Sequence, residues 1–292
     1  MKIETVLDVK TTLGEGPLWD VDHQRLYWID SVDGRIFRST VDGKELRAWD
    51  LPSKIGSMAI KANGEGAIVA LQDGLFTLDF ATGNLELIHN PEPDLPNNRL
   101  NDGKTDRKGR FFVGSMDTQE ASSTGALYRL DPDYQLTKLE EGIICSNGPC
   151  FAPDDRTFYF QDTWTGEIWA YDYDISSGRI SNKRTFAKVD ESNGGAADGS
   201  TVDSEGYLWN ALVYDAKIIR YAPDGSVDRI IDMPVKKVTS VNFGGPELDI
   251  LFVTSMAKPP LPRFPEDGVQ RGALFAIKDL GVRGMPEPRF GA

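Results

Sequence analysis

Along this chain, apolar and polar residues alternate in short runs separated by turn chemistry. Segments such as RLYWID (25–30), GAIVAL (66–71), RFFVGSM (110–116), TFYFQD (157–162), GYLWNALV (206–213) and ILFVTSM (250–256) are rich in aromatic and β-branched residues. Turn dipeptides such as DG, NG, SG and PD bound them, so each reads as a β-strand. No apolar spacing of the helical kind continues beyond two turns, which excludes α/β and helical-bundle classes.

Set in register, the strands return as a four-stranded unit. Copies begin at GPLWD (16–20), GSMAI (56–60), NDGKT (101–105), NGPCF (147–151), DGSTV (198–202) and SVNFG (240–244). Six such copies predict an all-β, six-bladed β-propeller. One antiparallel blade cannot bury both faces alone, whereas six stacked radially can. The sixth copy runs out of strand-forming sequence after three strands, because GVRGMPEPRFGA (281–292) is rich in Gly and Pro. The segment IETVLDVK (3–10) has strand character and precedes the first copy. It is expected to supply the outer strand of the last blade and close the ring. Dividing the chain would cut that closure, so one domain over residues 1–292 is expected.

Composition then acts mainly by exclusion. A net charge of −13, with no run of Lys and Arg longer than a pair, argues against a nucleic-acid partner. No apolar stretch approaches a membrane span, and MKIETVLDVKTTLGEG lacks the apolar core of a signal peptide. A cytoplasmic protein without membrane partners, monomeric or homodimeric, is the expectation. Cys145 and Cys150 are too few for a disulfide framework and are expected as reduced, buried thiols.

In a propeller the first strand of each blade lines the central channel, and the loops leading into those strands open on one face. Here these loops are LGEGP (Glu15), SKIGS, NRLNDG (Arg99, Asn101, Asp102), CSNGP (Ser146, Asn147), AADGS (Asp198) and KVTSV (Thr239, Ser240). Four of them place Asp, Glu or Asn beside Gly at the equivalent point. Taken singly, Asp-Gly and Asn-Gly are ordinary turn dipeptides. Recurring at one position of several blades, they predict convergence on the axis. Oxygen ligands from Glu15, Asn147 and Asp198 suit one hard divalent cation, Ca²⁺, Mg²⁺ or Mn²⁺; Zn²⁺ also binds oxygen but prefers His or Cys.

The segments LGEGPLWD, NRLNDGKTDRKGRFFVGSMD, SNGPCFAPDDRTFYFQDTWTGEIWAYDYD and DGSTVDSEGYLWNAL together resemble the SMP-30/gluconolactonase/regucalcin family of sugar lactonases. The likeness runs in order over nearly the whole chain. It implies a metal-dependent lactonase acting on a small sugar lactone, with one divalent cation in the channel. It also implies Glu15, Asn147 and Asp198 as metal ligands, Asp198 as the catalytic base as well, and Arg99 and Asn101 as substrate-binding residues. Several family members carry a Glu before GALY that contacts sugar hydroxyls. Here the segment reads DTQEASSTGALY, with Ala121 four residues before Gly125 and Glu120 one place earlier. Glu120 is therefore the candidate for that contact.

Such an enzyme must activate water and stabilise an oxyanion, which a divalent cation beside a carboxylate base does. Arg99 would orient substrate hydroxyls or the forming carboxylate, or else form a surface salt bridge. A Ser-His-Asp triad would need His23 or His89, both expected in solvent, and no G-x-S-x-G elbow is present. Two further classes share these features. One is a non-catalytic Ca²⁺-binding regulatory propeller using the same ligands. The other is a recognition propeller of the YWTD type, suggested by RLYWID but opposed by the scarce cysteines and the acids at the axis. DTQEASSTG (117–125) reads either as a mobile lid, with Ser122, Ser123 and Thr124 offering hydroxyls, or as plain surface. SMAKPPLPRFPEDGVQRGALF (255–275) reads as a rigid loop at one channel mouth.

Overall fold

Each repeat folds into an antiparallel four-stranded sheet, since most of its strands are joined by turns too short for a crossover. The computed structural model describes residues 1–258 and 267–292. The innermost strands are Gly14–Asp20, Ile55–Ile60, Asn98–Thr105, Ser146–Phe151, Ala196–Val202 and Val238–Gly244. Each contacts the innermost strand of the next sheet, and the sixth returns to the first. The molecule is a six-bladed β-propeller.

Ring closure follows the sequence. The sixth blade consists of Val238–Gly244, Ile250–Ser255, Leu274–Lys278 and, outermost, Lys2–Leu7. Lys2 pairs with Lys278, Ile3 with Ile277 and Thr5 with Phe275. The seam beside it is apolar: Trp19, Leu26 and Trp28 of blade 1 pack against Phe252, Leu274 and Ala276 of blade 6. Trp19 stacks on Phe252 at 6.3 Å. Burying a Phe or Leu side chain contributes about 1.5–3 kcal/mol, so this seam holds the ring shut without a covalent link. The remaining blades join in the same way, for example through Ile36, Ile55 and Val69 between blades 1 and 2.

The Gly- and Pro-rich tail is ordered and runs under the ring. Gly284 bridges Asp203 of blade 5, and Phe290 bridges Lys61 of blade 2 and stacks on Tyr134 of blade 3 at 5.9 Å. Arg289 donates to both carboxylate oxygens of Asp20 in blade 1, at 2.6 and 2.9 Å. Glu287 reaches Lys104 at 2.9 Å and accepts from Asn242 at 3.1 Å. The tail thus ties five blades together where the inner strands finish. Among the described residues no helix is long and apolar enough to cross a membrane.

Candidate functional site

One device recurs in every blade. Just after its start, each inner strand carries one residue more than the strand beside it. Pairing jumps from Glu15–Ile29 to Leu18–Tyr27 in blade 1, from Asn147–Gln161 to Cys150–Tyr159 in blade 4, and from Ala197–Leu212 to Ser200–Asn210 in blade 5. Blades 2, 3 and 6 shift at the same level. Such a bulge bends the strand and re-aims the neighbouring side chains. Glu15 and Asn147 hold the last paired position before it, in blades that face each other across the ring. Asn101 and Asp198 sit in the bulge itself, in the blades flanking Asn147. These residues were expected in loops leading to the strands; they belong to the strands, and the bulges bring them together.

The glycines around Glu15 follow from the same geometry. Gly16 has φ +52° and its counterpart Gly148 has φ +62°, a conformation glycine adopts without steric penalty. On the other side, a Cβ at Gly14 would lie 2.7 Å from the Ser255 carbonyl oxygen.

Glu15, Arg99, Asn101, Glu120, Asn147 and Asp198 all border one pocket, with about 440 Å³ of atom-free space. Directed hydrogen bonds link several of them. Arg99 Nη1 donates to Asn101 Oδ1 at 2.7 Å. Asn101 Nδ2 donates to the Ser146 carbonyl at 2.7 Å and to Asn147 Oδ1 at 3.2 Å. Asn147 Nδ2 donates to Thr163 Oγ1 at 2.8 Å. Glu120, at φ +52°, accepts from Trp164 Nε1 at 3.1 Å. Its carboxylate therefore stands in the pocket wall.

Burial pushes the Glu15 carboxyl well above its ordinary range, and the charges of Asp198 and Asp102 add to this. Asp198 is raised in the same way, by burial first and then by Asp102 and Glu120. Burial also lowers the Arg99 guanidinium, against the support of the surrounding acids. Acids crowded by other acids in this way gain from a nearby cation. The three candidate donors are two carboxylates and an amide oxygen, a set that fits a hard divalent cation. Among the described residues no three His, Cys, Asp or Glu side chains gather to hold an ion.

Asp102, next to Asn101, turns the other way. It accepts the amides of Gly103 and Gly148 at 2.8 and 2.9 Å and faces the channel beside Lys104 and Glu287. Burial pushes its carboxyl up to about 6.

Segment 117–125 is not the free lid expected. The Asp117 carboxylate accepts the amides of Gln119, Ala121 and Ser122 at 3.0, 3.2 and 2.9 Å, and Thr124 Oγ1 donates to Asn98 at 2.8 Å. Ser122, Ser123 and Thr124 are exposed and stand outside the pocket wall, to which this segment contributes Glu120. Of the loop 255–275, residues 259–266 lie outside the described residues. His23 is exposed beside Asp20, as expected. His89 is half-buried instead, its Nε2 2.7 Å from the Tyr134 carbonyl oxygen. Both cysteines are buried and unpaired, and burial holds the Cys145 thiol well above its ordinary range, which disfavours it as a nucleophile.

Sequence reasoning missed Thr163, Trp164 and Tyr214, which also border the pocket. For the first a signal existed: Asp followed by Ser or Thr leaves the second strand of blades 1, 3 and 4, as Asp30-Ser31, Asp117-Thr118 and Asp162-Thr163. In each, the Asp side chain accepts amides of an adjoining loop.

Fold and pocket together define a β-propeller with an oxygen-rich axial site. The chain belongs to the SMP-30/Gluconolactonase/LRE-like family, whose pattern spans residues 13–257. It is 34 % identical over 298 residues to pentonolactonase XacC of Haloferax volcanii, covering 99 % of this chain and 98 % of that one. A luciferin-regenerating enzyme superposes with a TM-score of 0.93 at 30 % identity, covering 100 % of this chain and 99 % of the other. The calcium-binding protein regucalcin from Agrobacterium tumefaciens superposes with a TM-score of 0.89 at 28 % identity, covering 98 % and 96 %.

Proposed function

We propose that this protein hydrolyses a sugar-acid lactone in the axial pocket, with one divalent cation held by Glu15, Asn147 and Asp198. The observation that carries this reading is the meeting of buried Asp198 and partly buried Glu15 with an amide oxygen and Arg99 in one pocket. The likeness to a pentonolactonase supports the substrate class.

A Ca²⁺, Mg²⁺, Mn²⁺ or Zn²⁺ ion bound there would polarise the lactone carbonyl and acidify water. Asp198 accepts the proton of the attacking water as its oxygen bonds to the carbonyl carbon. The ring C–O bond breaks, and Asp198 returns that proton to the released ring oxygen, giving the open-chain hydroxy acid. Arg99 has only donors to offer, so it binds substrate hydroxyls and then the forming carboxylate. Asn101 holds Arg99 in place through its Oδ1. Glu120 accepts a hydroxyl of the sugar.

The likeness to a calcium-binding regucalcin favours a second reading, a Ca²⁺-binding regulatory propeller without turnover. One experiment separates the two. Chelator-stripped protein is assayed for proton release from aldonolactones and uronolactones, alone and with each cation restored. Cation-dependent hydrolysis supports the lactonase. Cation-dependent melting, with no lactone opened above its spontaneous rate, supports the regulatory propeller.

A further inference from the structure

We infer that Thr163 orients the Asn147 amide for cation binding, so that the Thr163–Thr165 turn, together with the inner strand, sets the affinity of the site. This rests on the cation-binding reading of the pocket.

The inner strand fixes where Asn147 stands but not which way its amide faces, because the terminal torsion of Asn has two roughly equivalent settings. The neighbours decide it. Arg99 is donor-only, so Asn101 must present Oδ1 to it and turn Nδ2 toward the Ser146 carbonyl and Asn147. Asn147 must then show Oδ1 to Asn101, and its Nδ2 falls to Thr163 Oγ1 at 2.8 Å. An amide oxygen has two lone pairs; Asn101 engages one, and the other stays for a cation. Asn147 is 5 % exposed and Thr163 4 %, so the bond between them is made inside the pocket wall. Without it, Asn147 Nδ2 keeps only Cys145 Sγ at 3.7 Å, a weak acceptor. The setting that presents oxygen to the pocket is then held only by the 3.2 Å bond from Asn101, and so more weakly.

Thr163 is itself held firmly. Its amide donates to the Cys145 carbonyl at 2.9 Å. Asp162 caps the turn and also accepts the amides of Ile144 and Cys145 at 2.8 and 3.1 Å. Gly166, in the left-handed region at φ +68°, ends it. The turn and the segment leading into Asn147 are thus clamped together, and Thr163 acts as a positioning residue.

Cation binding is measured on chelator-stripped wild type, Thr163→Val, Thr163→Ser and Thr163→Ala, by calorimetry and by the cation-induced rise in Tm, with Ca²⁺, Mg²⁺, Mn²⁺ and Zn²⁺ in turn. Removing a partner that orients a ligand typically weakens metal affinity about 10–100-fold, and Thr163→Val is expected in that range. Thr163→Ser should stay within about threefold of wild type, and Thr163→Ala should follow Thr163→Val. Ser and Ala differ by the hydroxyl alone, so their comparison decides the matter even where Thr163→Val does not fold. Equal affinities for the Ser and Ala variants, or wild-type affinity for Thr163→Val, overturn the role of Thr163 and leave the cation reading standing. Wild type that binds none of the four cations by either readout overturns both.

Discussion

Trp164 and Glu120, 44 residues apart in sequence, meet through a 3.1 Å hydrogen bond from the indole Nε1 to the carboxylate. Trp164 rides on the short turn after the second strand of blade 4, and Glu120 on a loop of blade 3. The bond fixes a carboxylate in the pocket wall that its chain position alone would leave undirected.

Trp164→Phe keeps a ring in the wall and removes the donor. A single hydrogen bond to a charged group is worth about 1.5–3 kcal/mol. The KM for the best lactone is therefore expected to rise about tenfold, with kcat changed much less. Steady-state kinetics on the purified variant check this, and an unchanged KM refutes it.

Asp198→Asn removes the proposed proton acceptor while preserving shape. Loss of a general base costs about 10²–10⁴ in rate, and kcat/KM should fall by at least that range. The cation-free variant should melt no lower than cation-free wild type at pH 8, because an amide carries no charge to bury. Proton-release assays and thermal melting test the two halves separately.

Asp102 predicts a pH dependence of stability. Its carboxyl is pushed up to about 6 from an ordinary 3.8, so the native state holds this proton more tightly than the unfolded chain. The stabilising share is complete below about pH 4 and is lost as the pH climbs through 6, a swing of about 3 kcal/mol. Urea unfolding of cation-free protein between pH 4 and 8 should show this decline in wild type and a flatter profile in Asp102→Asn. Parallel profiles would contradict the assignment.

The tail makes a separate prediction. Lys104 and Glu287 form an ion pair at 2.9 Å with both side chains largely buried. Glu287→Ala strands the ammonium of Lys104 and should destabilise by about 3–5 kcal/mol. Replacing both residues by Met at pH 5, where Asp102 is largely protonated, should cost less than the single change, since no ammonium is left without its ion-pair partner. Chemical denaturation of the three proteins measures the difference.

Much of the architecture was legible because its causes are local. Alternating apolar residues and turn dipeptides define each strand within a few residues, as in RLYWID followed by SVDG, and their repetition identifies the blades. The closure by Lys2–Leu7 followed from counting strands, since the last copy lacked one. Glu15, Arg99, Asn101, Asn147 and Asp198 were legible because a propeller gathers equivalent positions of its repeats on one axis, and Glu120 was pointed to by the family resemblance.

What escaped depends on contacts between distant segments. Asp117 opens the segment read as a lid, yet its carboxylate collects three amides and makes that segment an anchored loop. The tail was read only as too rich in Gly and Pro to continue the last blade, yet Arg289 and Phe290 find partners in blades 1, 2 and 3. Thr163 and Trp164 drew no reading, because only packing sets them against Asn147 and Glu120.

The sequence by itself determined the repeat, the blade count, the closing strand and the residue types at the axis, because periodicity and turn chemistry act over a few neighbouring residues. Tertiary structure decided where those side chains point. Bulge register, amide orientation and loop anchoring are fixed by partners tens of residues away, whose positions exist only once the ring has closed.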